Sequence, residues 1–509
     1  MDSHSSLFTW YSVVIAVVTY YGTVVFYRLF LHPLARFPGP RLAAISRWYE
    51  GYYDIVQGGK YTSKIAELHK TYGAIIRISP FELHVSDPAF FDTLYRMDGH
   101  WDKYAWTYDA FGAKSSTVFG SGHDAHQAHR RAIASFFSKQ NVAARQDLIR
   151  RNVDKLCQHI SKLAGTSFNL GAATSAFTRD VANEFILGKA YNELDLEDFG
   201  IGLSISSQGA GAFWRTTKHI RWFGPAIRAI PVEWAMKAAD EGTKSFLRYL
   251  QQSEQDTRDA FAAATSSSPI NHKVRNTMIH EIVHSNLPPT EKTFERTFEE
   301  IATVTAAAFE TTANALRLIL YHVFTNDEIL QRLRKEISEA AADSSEYIPL
   351  KTLEQLPYLT STLMEGLRLS PGIATRAARV TDKDLFYGGW RIPAGTPVGM
   401  TTLLMHTDEK LYPDPMRFNP ERWMDPTARK KGETKFAPFS RGTRICLGMH
   451  LAWAEMYLFL AALVQQFNFE IKDATAEDFE LESDNFGIGT KAQCNLIAHI
   501  TPYVRADVI

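Results

Sequence analysis

The sequence predicts a mainly α-helical protein with a minor β region, preceded by one N-terminal transmembrane helix. Apolar residues recur at helical spacing through residues 142–285 and, without interruption, through residues 290–324. Two short segments, residues 75–78 and 81–85, alternate apolar and polar side chains on either side of a Ser-Pro turn, which is the pattern of paired strands. No internal repeat and no second linker divides the rest of the chain, so we expect one catalytic domain over residues 42–509.

Charge and cysteine content narrow the class of protein. The 509 residues carry 55 Lys and Arg against 56 Asp and Glu, and this balance gives no support for nucleic-acid binding. The cysteines are Cys157, Cys446 and Cys494. An odd and sparse count argues against a disulfide framework and for a reducing compartment.

The N-terminus contains an uncharged, largely apolar run over residues 7–27, close to the length that a helix needs to cross a bilayer. Asp2 precedes the run and Arg28 follows it, with two further arginines by residue 41, so the positive-inside rule places the N-terminus in the lumen and the remainder in the cytosol. A cleaved signal peptide is the alternative, but a basic leading segment and a small-residue cleavage site are not evident.

We therefore assign residues 1–31 to a membrane anchor. Residues 32–41 contain Pro33, Pro38 and Pro40, which cannot continue a helix. This composition predicts a stiff tether between the anchor and the catalytic domain.

A helical stretch begins at His123 and carries three histidines at intervals of three, which raises the alternative of a zinc site. Zinc needs further ligands in a defined geometry, and the adjacent Arg130 and Arg131 would repel a cation. Arg130 is better suited to binding a carboxylate, and a solvated basic helix face is the remaining alternative.

The long helical pattern of residues 290–324, with Thr290 as the expected N-cap, contains Ala-Ala-Ala-Phe-Glu310-Thr311-Thr312 in its middle. Small side chains allow a flat surface to approach the backbone closely. The Thr311 hydroxyl can bond the carbonyl four residues earlier or release it, and Glu310 beside it can pass protons from solvent. The alternative is a buried helix with incidental polar residues.

One ten-residue segment near the C-terminus, Phe439-Ser-Arg-Gly442-Thr-Arg444-Ile-Cys446-Leu-Gly448, places a cysteine just before an apolar helix. Unpaired backbone N–H groups and the helix dipole favour a thiolate there, and a thiolate is a strong ligand for haem iron. Arg444 lies within reach of a haem propionate, Gly448 lets the helix approach a flat macrocycle, and Phe439 can shield the ligand. A buried cysteine at a helix start is the alternative.

This segment resembles the haem-binding loop of the cytochromes P-450, and further motifs of that family occur in the same order along nearly the whole chain. The resemblance implies the cytochrome P-450 fold and a haem b cofactor whose iron is ligated by Cys446. It implies catalytic roles for Thr311 and Glu310, although Ala308 replaces the usual glycine. His126 and Arg130 match a Trp-x-x-x-Arg motif, with histidine replacing tryptophan.

Three further correspondences follow from the same resemblance. Arg376 matches a propionate-binding position and Arg379 is then expected at the surface, but the two exchange roles if the register slips. Glu365, Arg368 and Arg422 match the residues of a structural Glu–Arg–Arg triad. Residues 101–122 and 486–489 correspond to loops that cover the substrate pocket.

The resemblance implies a membrane-anchored monooxygenase of the endoplasmic reticulum that hydroxylates or epoxidises a hydrophobic small molecule. No dinucleotide fingerprint, flavin domain or iron–sulfur cluster motif is present, so we expect electrons from NADPH through a separate reductase, with cytochrome b5 as an additional donor. The basic residues Arg429, Lys430, Lys431 and Lys435 mark either an acidic partner's docking surface or a solvated loop. The chain is most similar to fungal microsomal members of secondary metabolism of the trichodiene-oxygenase type, which implies a terpenoid or related substrate.

Two other functions stay open at this point. A haem-thiolate isomerase or dehydratase consumes a peroxide without a reductase and often lacks the distal threonine, so Thr311 argues against it. A non-enzymatic haem sensor or carrier has no need of Glu310 and Thr311.

Overall fold

The computed structural model describes residues 2–266, 276–342 and 347–502, and it confirms a mainly α fold with a minor β region. The longer helices are Asp2–Phe26, Tyr61–Tyr72, His123–Ile133, Gln146–Lys162, Leu170–Leu187, Ile201–His219, Glu241–Thr265, Phe294–Phe324, Asp327–Ala342, Pro357–Leu369 and Met449–Gln466. The shorter helices are Arg41–Ile45, Trp48–Gly51, Phe91–Leu94, Ala105–Tyr108, Lys139–Ala144, Phe223–Arg228, Val232–Ala238, Met278–His284, Leu350–Leu353, Thr402–His406 and Pro426–Glu433.

Twelve strands in the described residues form small sheets at the periphery of the helices. They are β1 (Ile75–Ser79), β2 (Glu82–Val85), β3 (Asp102–Lys103), β4 (Ser167–Asn169), β5 (Arg379–Val380), β6 (Leu385–Tyr387), β7 (Trp390–Ile392), β8 (Val398–Gly399), β9 (Phe467–Lys472), β10 (Ser483–Asn485), β11 (Gly487–Gly489) and β12 (Ile497–Pro502). The largest sheet has the order β1-β2-β8-β5-β3, with β2 and β8 parallel. β1 and β2 pair antiparallel, as the alternating sequence pattern predicted.

The helix Phe294–Phe324, called the long helix below, runs through the main hydrophobic core. At 1.5 Å per residue its 31 residues extend about 46 Å. It packs against the helices Leu170–Leu187, Glu241–Thr265 and Met449–Gln466. Its N-cap is Thr293, whose hydroxyl accepts a hydrogen bond from the Arg296 N–H. The prediction of Thr290 was wrong because the chain forms a separate 3₁₀ turn there before the helix starts.

One helical segment in the described residues, Trp10–Leu31, is long and apolar enough to cross a membrane, with a mean hydropathy of 1.7. The proline-containing segment after it lies against the largest sheet. Its Leu34 and Phe37 are buried, and the Phe37 ring stacks on Trp390 at 4.8 Å. The Arg77 N–H also donates to the Pro38 carbonyl at 2.7 Å, so this segment is attached to β1.

Candidate active site

The cysteine loop, residues 439–448, is held in a tight turn that only glycine allows at its centre. Gly442 has a φ of +75°, and a Cβ atom there would lie 2.4 Å from the Arg96 carbonyl oxygen. The next residue, Thr443, donates its N–H to that same oxygen at 3.1 Å, and the Cys446 N–H donates to the Phe439 carbonyl at 2.9 Å. These backbone contacts fix the position of the cysteine, together with the side-chain hydrogen bond from Arg130 to the Ile445 carbonyl.

Cys446 is accessible although protein surrounds it on all sides, which is the environment of a side chain that lines an internal cavity. Burial raises the pKa of the Cys446 thiol, while the Gly448 N–H and the Arg130 guanidinium act in the opposite direction. Burial therefore outweighs the helix-terminus effect that the sequence suggested. Ligation to a metal is what would remove the proton, because only the thiolate is a strong ligand.

The surroundings of Cys446 leave room for a flat group. A methyl group at Gly448 would meet no atom of the described residues within 4 Å. The helix Met449–Gln466 begins directly after this glycine. On one side of the loop, the partly buried Phe439 packs on Trp453 with ring centroids 6.1 Å apart.

The middle of the long helix presents an open, small-residue face. Ala306 and Ala307 are exposed, although the flanking turns of the same helix are buried. Thr311 is partly buried on the following turn, and its Oγ1 donates to the Ala307 carbonyl at 2.8 Å. The predicted hydroxyl-to-backbone bond is thus present beside a face that admits a flat macrocycle.

Glu310 occupies a buried ionic site next to Thr311. Its Oε2 accepts a hydrogen bond from Arg317 at 2.8 Å, and its Oε1 lies 3.9 Å from Arg179. These two guanidinium groups lower the pKa of Glu310 even though burial alone would raise it. Ser175 and Gln208 complete the surroundings, each 3.4 Å from Oε2. Glu310 is consequently an ionised carboxylate that can accept a proton.

Five nitrogen-bearing side chains form the cation cluster, defined here as Lys103, His126, Arg130, Arg379 and Arg444. His126 and Arg130 lie on the helix His123–Ile133, and the other three come from separate elements. The five act on one another electrostatically. Burial together with the neighbouring positive charges lowers the pKa of Arg444 to about 10 and that of His126 to about 2. No carboxylate of the described residues lies within ion-pair distance of any of the five.

The cation cluster donates mainly to backbone carbonyls. Arg444 bonds the Ser121 and Gly120 carbonyls at 2.8 and 3.1 Å, and Arg130 bonds the Ile445 carbonyl at 2.6 Å. The Arg444 Nε has no hydrogen-bond partner among the described residues. Buried cations without counter-charges are costly, so this donor set fits a ligand with carboxylates. The two propionates of haem have that chemistry, and the accessible thiol of Cys446 has the chemistry of its iron ligand.

The structure corrects the expectation for Arg376 and Arg379. Arg376 is not in the cation cluster: its guanidinium bonds Glu82 at 2.6 Å and Glu50 at 2.9 Å, and it is fully committed to them. Arg379 is buried rather than at the surface, and it lies with Arg444 and His126. This placement favours the alternative in which the two arginines exchange roles, and the propionate-binding role of Arg379 belongs to the proposal below.

Lys103 was missed by the sequence analysis. β3 pairs antiparallel with β5, and this register sets Lys103 opposite Arg379. Its Nζ donates to the Val118 carbonyl. Burial and the three nearby arginines hold its pKa well below the usual range. The sequence around Lys103 has no periodicity that would predict its place beside Arg379, because that place results only from the pairing of β3 with β5.

The predicted triad is confirmed. Arg368 bonds both oxygens of Glu365 at 2.8 and 2.9 Å, and Arg422 approaches the same carboxylate at 3.3 Å. The Trp423 indole N–H donates to it at 2.9 Å. The triad joins the helix Pro357–Leu369 to the segment that leads into the cysteine loop, so it supports the loop without facing it.

The fold and the site together define a haem-thiolate protein. The family model "Cytochrome P450" matches residues 47–495, and the chain belongs to that family. Its cofactor is haem with cysteine-thiolate ligation of the iron, and its activity class is that of a monooxygenase.

Curated relatives support the same class. The chain is 36% identical over 471 residues to cytochrome P450 monooxygenase tpcC of Cochliobolus heterostrophus, covering 90% of this chain and 88% of the relative. It is 33% identical to tryptophan 6-hydroxylase fscE of Fusarium equiseti, with 90% of each chain covered. A crystal structure of a cytochrome P450 superposes with a TM-score of 0.69 at 17% identity, over 87% of this chain and 95% of the other, which supports the fold.

Proposed function

We propose that this monooxygenase receives electrons from NADPH through a separate reductase and hydroxylates or epoxidises a hydrophobic secondary metabolite. The observation that carries the proposal is the presence of three features: the accessible Cys446 thiol, the open face of the long helix beside Thr311, and the cation cluster, which has no ion-paired carboxylate among the described residues. Haem, when bound, supplies the binding and activation of dioxygen.

Each side chain then has a defined task. Cys446 ligates the iron, and Phe439 and Gly448 shape the space beside it. Arg444, Arg130, His126, Arg379 and Lys103 hold the two propionates. Among these, His126 is neutral at physiological pH, since its pKa is far below 7, and it acts as a hydrogen-bond donor rather than a cation.

Thr311 and Glu310 deliver protons to the oxygen-binding side in this proposal. The Thr311 hydroxyl is now engaged with the Ala307 carbonyl, so it must rotate away to donate elsewhere. Glu310 must loosen from Arg317 before it can carry a proton from solvent to Thr311. The ion pairs keep the carboxylate charged between turnovers and so keep it ready to accept the next proton.

The docking of a reductase is supported by a basic surface just before the cysteine loop. On the helix Pro426–Glu433, Arg429 pairs with Glu433 at 2.7 Å. Lys430 and Lys431 are exposed and have no ion pair among the described residues. Exposed unpaired lysines attract an acidic partner, and we assign this surface to the reductase, with cytochrome b5 as a second donor.

The helix Trp10–Leu31 supports a single-pass anchor. We propose that it holds the enzyme in the endoplasmic reticulum membrane with the catalytic domain facing the cytosol. Arg28 and Arg36 follow the apolar run, in agreement with the positive-inside rule.

The substrate class has two candidates. A terpenoid is the expectation from the sequence. An aromatic compound is favoured by the relative that is named a tryptophan 6-hydroxylase. Both are hydrophobic.

The test uses the full-length chain in microsomes with a reductase. Reduced protein with carbon monoxide should give the Soret band of a thiolate-ligated haem, and Cys446→Ser should abolish it. Thr311→Ala should lower product formation roughly tenfold or more while NADPH consumption continues, because reduced oxygen escapes without proper proton delivery. Thr303 lies about two turns earlier on the same helix, and its hydroxyl also bonds a backbone carbonyl. Thr303→Ala is therefore the matched control.

Two results would overturn the proposal. Turnover without NADPH and dioxygen would favour the isomerase or dehydratase. An unchanged ratio of product to NADPH in Thr311→Ala would remove the assigned role of this hydroxyl.

A further inference from the structure

Five aromatic side chains from three regions of the chain pack into one group, called the aromatic cluster: Tyr108, Phe111, Phe119, Trp214 and Phe486. Phe111 and Phe119 stack with ring centroids 3.9 Å apart and planes 16° apart. Phe486 meets Phe111 edge-to-face at 4.9 Å, and it meets Trp214 edge-to-face at 5.6 Å. The cluster thus offers both ring faces and ring edges.

The position of Phe119 follows from the contacts of its neighbours. Two residues earlier, the Thr117 N–H bonds the Glu300 carboxylate on the long helix at 3.1 Å. Directly after it, the Gly120 and Ser121 carbonyls accept hydrogen bonds from Arg444. Phe119 therefore lies in the short segment that joins the long helix to the cation cluster.

The position of Phe486 is fixed on the Thr311 side. The Phe486 carbonyl accepts a hydrogen bond from the Ala374 N–H at 2.9 Å, and Gly487 pairs with Ile373. In the same segment, a Cβ atom at Gly372 would lie 3.6 Å from the Thr311 Cβ. The aromatic cluster thus extends from the side of Thr311 to the side of the cation cluster.

Phe486 adopts a strained backbone conformation to reach this position. Its φ is +70°, which is uncommon for a residue with a side chain. The Asp484 carboxylate accepts the Phe486 N–H at 2.9 Å and stabilises the turn between β10 and β11. Strain of this kind persists where the surrounding structure holds it, and it concentrates at functional sites.

The cluster has a rigid base and an accessible side. Trp214 and Tyr108 are buried, and the Trp214 indole N–H donates to the Thr107 carbonyl at 3.0 Å. Phe111, Phe119 and Phe486 keep partial exposure although the elements around them are packed. A simple core cluster would have buried all five rings, so the exposed ring surface is available to a ligand.

We infer that the aromatic cluster binds a planar aromatic ring of the substrate, so that the enzyme oxidises an aromatic metabolite in preference to a saturated terpenoid. The inference rests on the proposed monooxygenase function and adds the substrate class to it. Ring edges and faces bind another ring through their quadrupoles, in addition to the burial of apolar area, whereas a saturated carbon skeleton gains only the burial. Each ring pair contributes roughly a two- to tenfold gain in affinity.

The test compares naphthalene with decalin, which have the same ten-carbon skeleton, one planar and aromatic and the other saturated. Both are titrated into the full-length holoenzyme by calorimetry, which reads binding without relying on the haem spectrum, and the affinities are corrected for partitioning from water. We expect naphthalene to bind about fivefold more tightly than decalin after this correction.

Substitutions in the aromatic cluster test whether it causes the tighter binding of naphthalene. Phe119→Leu and Phe486→Leu should each weaken naphthalene binding about threefold to fivefold and change decalin binding less than twofold. Phe386→Leu, at an exposed phenylalanine in β6, is the control and should change neither.

Equal corrected affinities of the two probes in the unsubstituted enzyme would overturn the inference, and this comparison needs no variant to fold. Equal losses for both probes in Phe119→Leu would overturn it as well. A normal carbon monoxide spectrum and normal NADPH-dependent turnover alongside either result would show that the proposed function stands and the aromatic assignment alone has failed.

Discussion

Arg376 and Arg379 lie three residues apart in the chain, and both are buried, but they belong to two clusters that differ in their counter-charges. Arg376 is paired with Glu82 and Glu50, and Glu50 is also paired with Lys218 at 2.7 Å. Arg379 lies instead with Arg444 and the rest of the cation cluster, where no carboxylate of the described residues is within ion-pair distance. Burial is nearly the same for both, at 2% and 4% exposure.

The presence or absence of a carboxylate partner indicates whether a buried arginine serves the fold or is available to a ligand. A buried charge is stable only with a partner of opposite charge, and the protein supplies that partner for Arg376. Arg379 and its neighbours have no carboxylate of the described residues within ion-pair distance, so the proposed dicarboxylate ligand would complete their charge balance. Charge balance therefore separates the arginine that is paired within the fold from those that we propose to hold the cofactor, a distinction that motif matching did not make.

Removing the arginine from either cluster gives the largest expected effect, and we expect the two substitutions to affect different properties. Arg376→Met leaves Glu82 and Glu50 partly unpaired, and we expect it to lower the free energy of unfolding by about 3–5 kcal/mol. Arg379→Met should change this free energy by less than about 1 kcal/mol in haem-free protein, since it removes repulsion, while speeding the loss of haem. Urea unfolding followed by circular dichroism and transfer of haem to apomyoglobin measure the two effects. Equal unfolding losses in both variants would contradict the distinction.

The pH dependence of stability gives an intermediate effect through His406. This buried histidine donates from Nδ1 to the Arg368 carbonyl at 3.0 Å, and its Nε2 accepts the Ala437 N–H at 3.0 Å. Burial lowers its pKa to about 3, so the unfolded state takes up the proton first as pH falls. Stability contributed by the neutral imidazole is complete above the unfolded-state pKa near 6.5 and falls toward pH 3.

Between pH 6.5 and pH 5 this single group should reduce the free energy of unfolding by about 2 kcal/mol. His406→Gln can keep both hydrogen bonds but does not titrate, so its unfolding free energy should fall less steeply over that interval. Urea titrations at pH 5, 6 and 7 compare the slopes. Identical slopes for the two proteins would show that His406 does not carry this dependence.

Substitution of Lys103 has the smallest expected effect, a change in the rate of haem dissociation, and it tests whether this residue acts with the cation cluster. Lys103→Met removes one of the proposed propionate donors, and we expect haem to dissociate roughly fivefold faster, equivalent to about 1 kcal/mol. Lys103→Arg should restore most of the retention, whereas Lys383→Met, at an exposed lysine, should leave it unchanged. An unaltered dissociation rate in Lys103→Met would exclude this residue from the cluster's function.

Sequence analysis succeeded where the signal is local. The hydroxyl-to-carbonyl bond of Thr311 and the pair of Glu365 with Arg368 each depend on residues within a few positions of one another. It was wrong for Thr290 by three residues, because a short 3₁₀ turn competes with the start of the long helix.

Burial at the Cys446 thiol is not readable from the local pattern around it. The helix terminus and Arg130 do favour the thiolate, as the local pattern indicated. Burial by elements distant in the chain outweighs them, and a local pattern contains no measure of burial.

The sequence by itself determined the mainly helical fold, the cysteine that ligates haem and the threonine in the middle of the long helix, because helical periodicity and turn chemistry are encoded in neighbouring residues. Only the tertiary structure decided that Arg379 and Lys103, rather than Arg376, belong to the cation cluster. The pairing of β3 with β5 brings the first two together, and the carboxylates of Glu50 and Glu82 engage the third. The balance of buried charge is a sum over residues that are hundreds of positions apart, and it exists only in the folded chain.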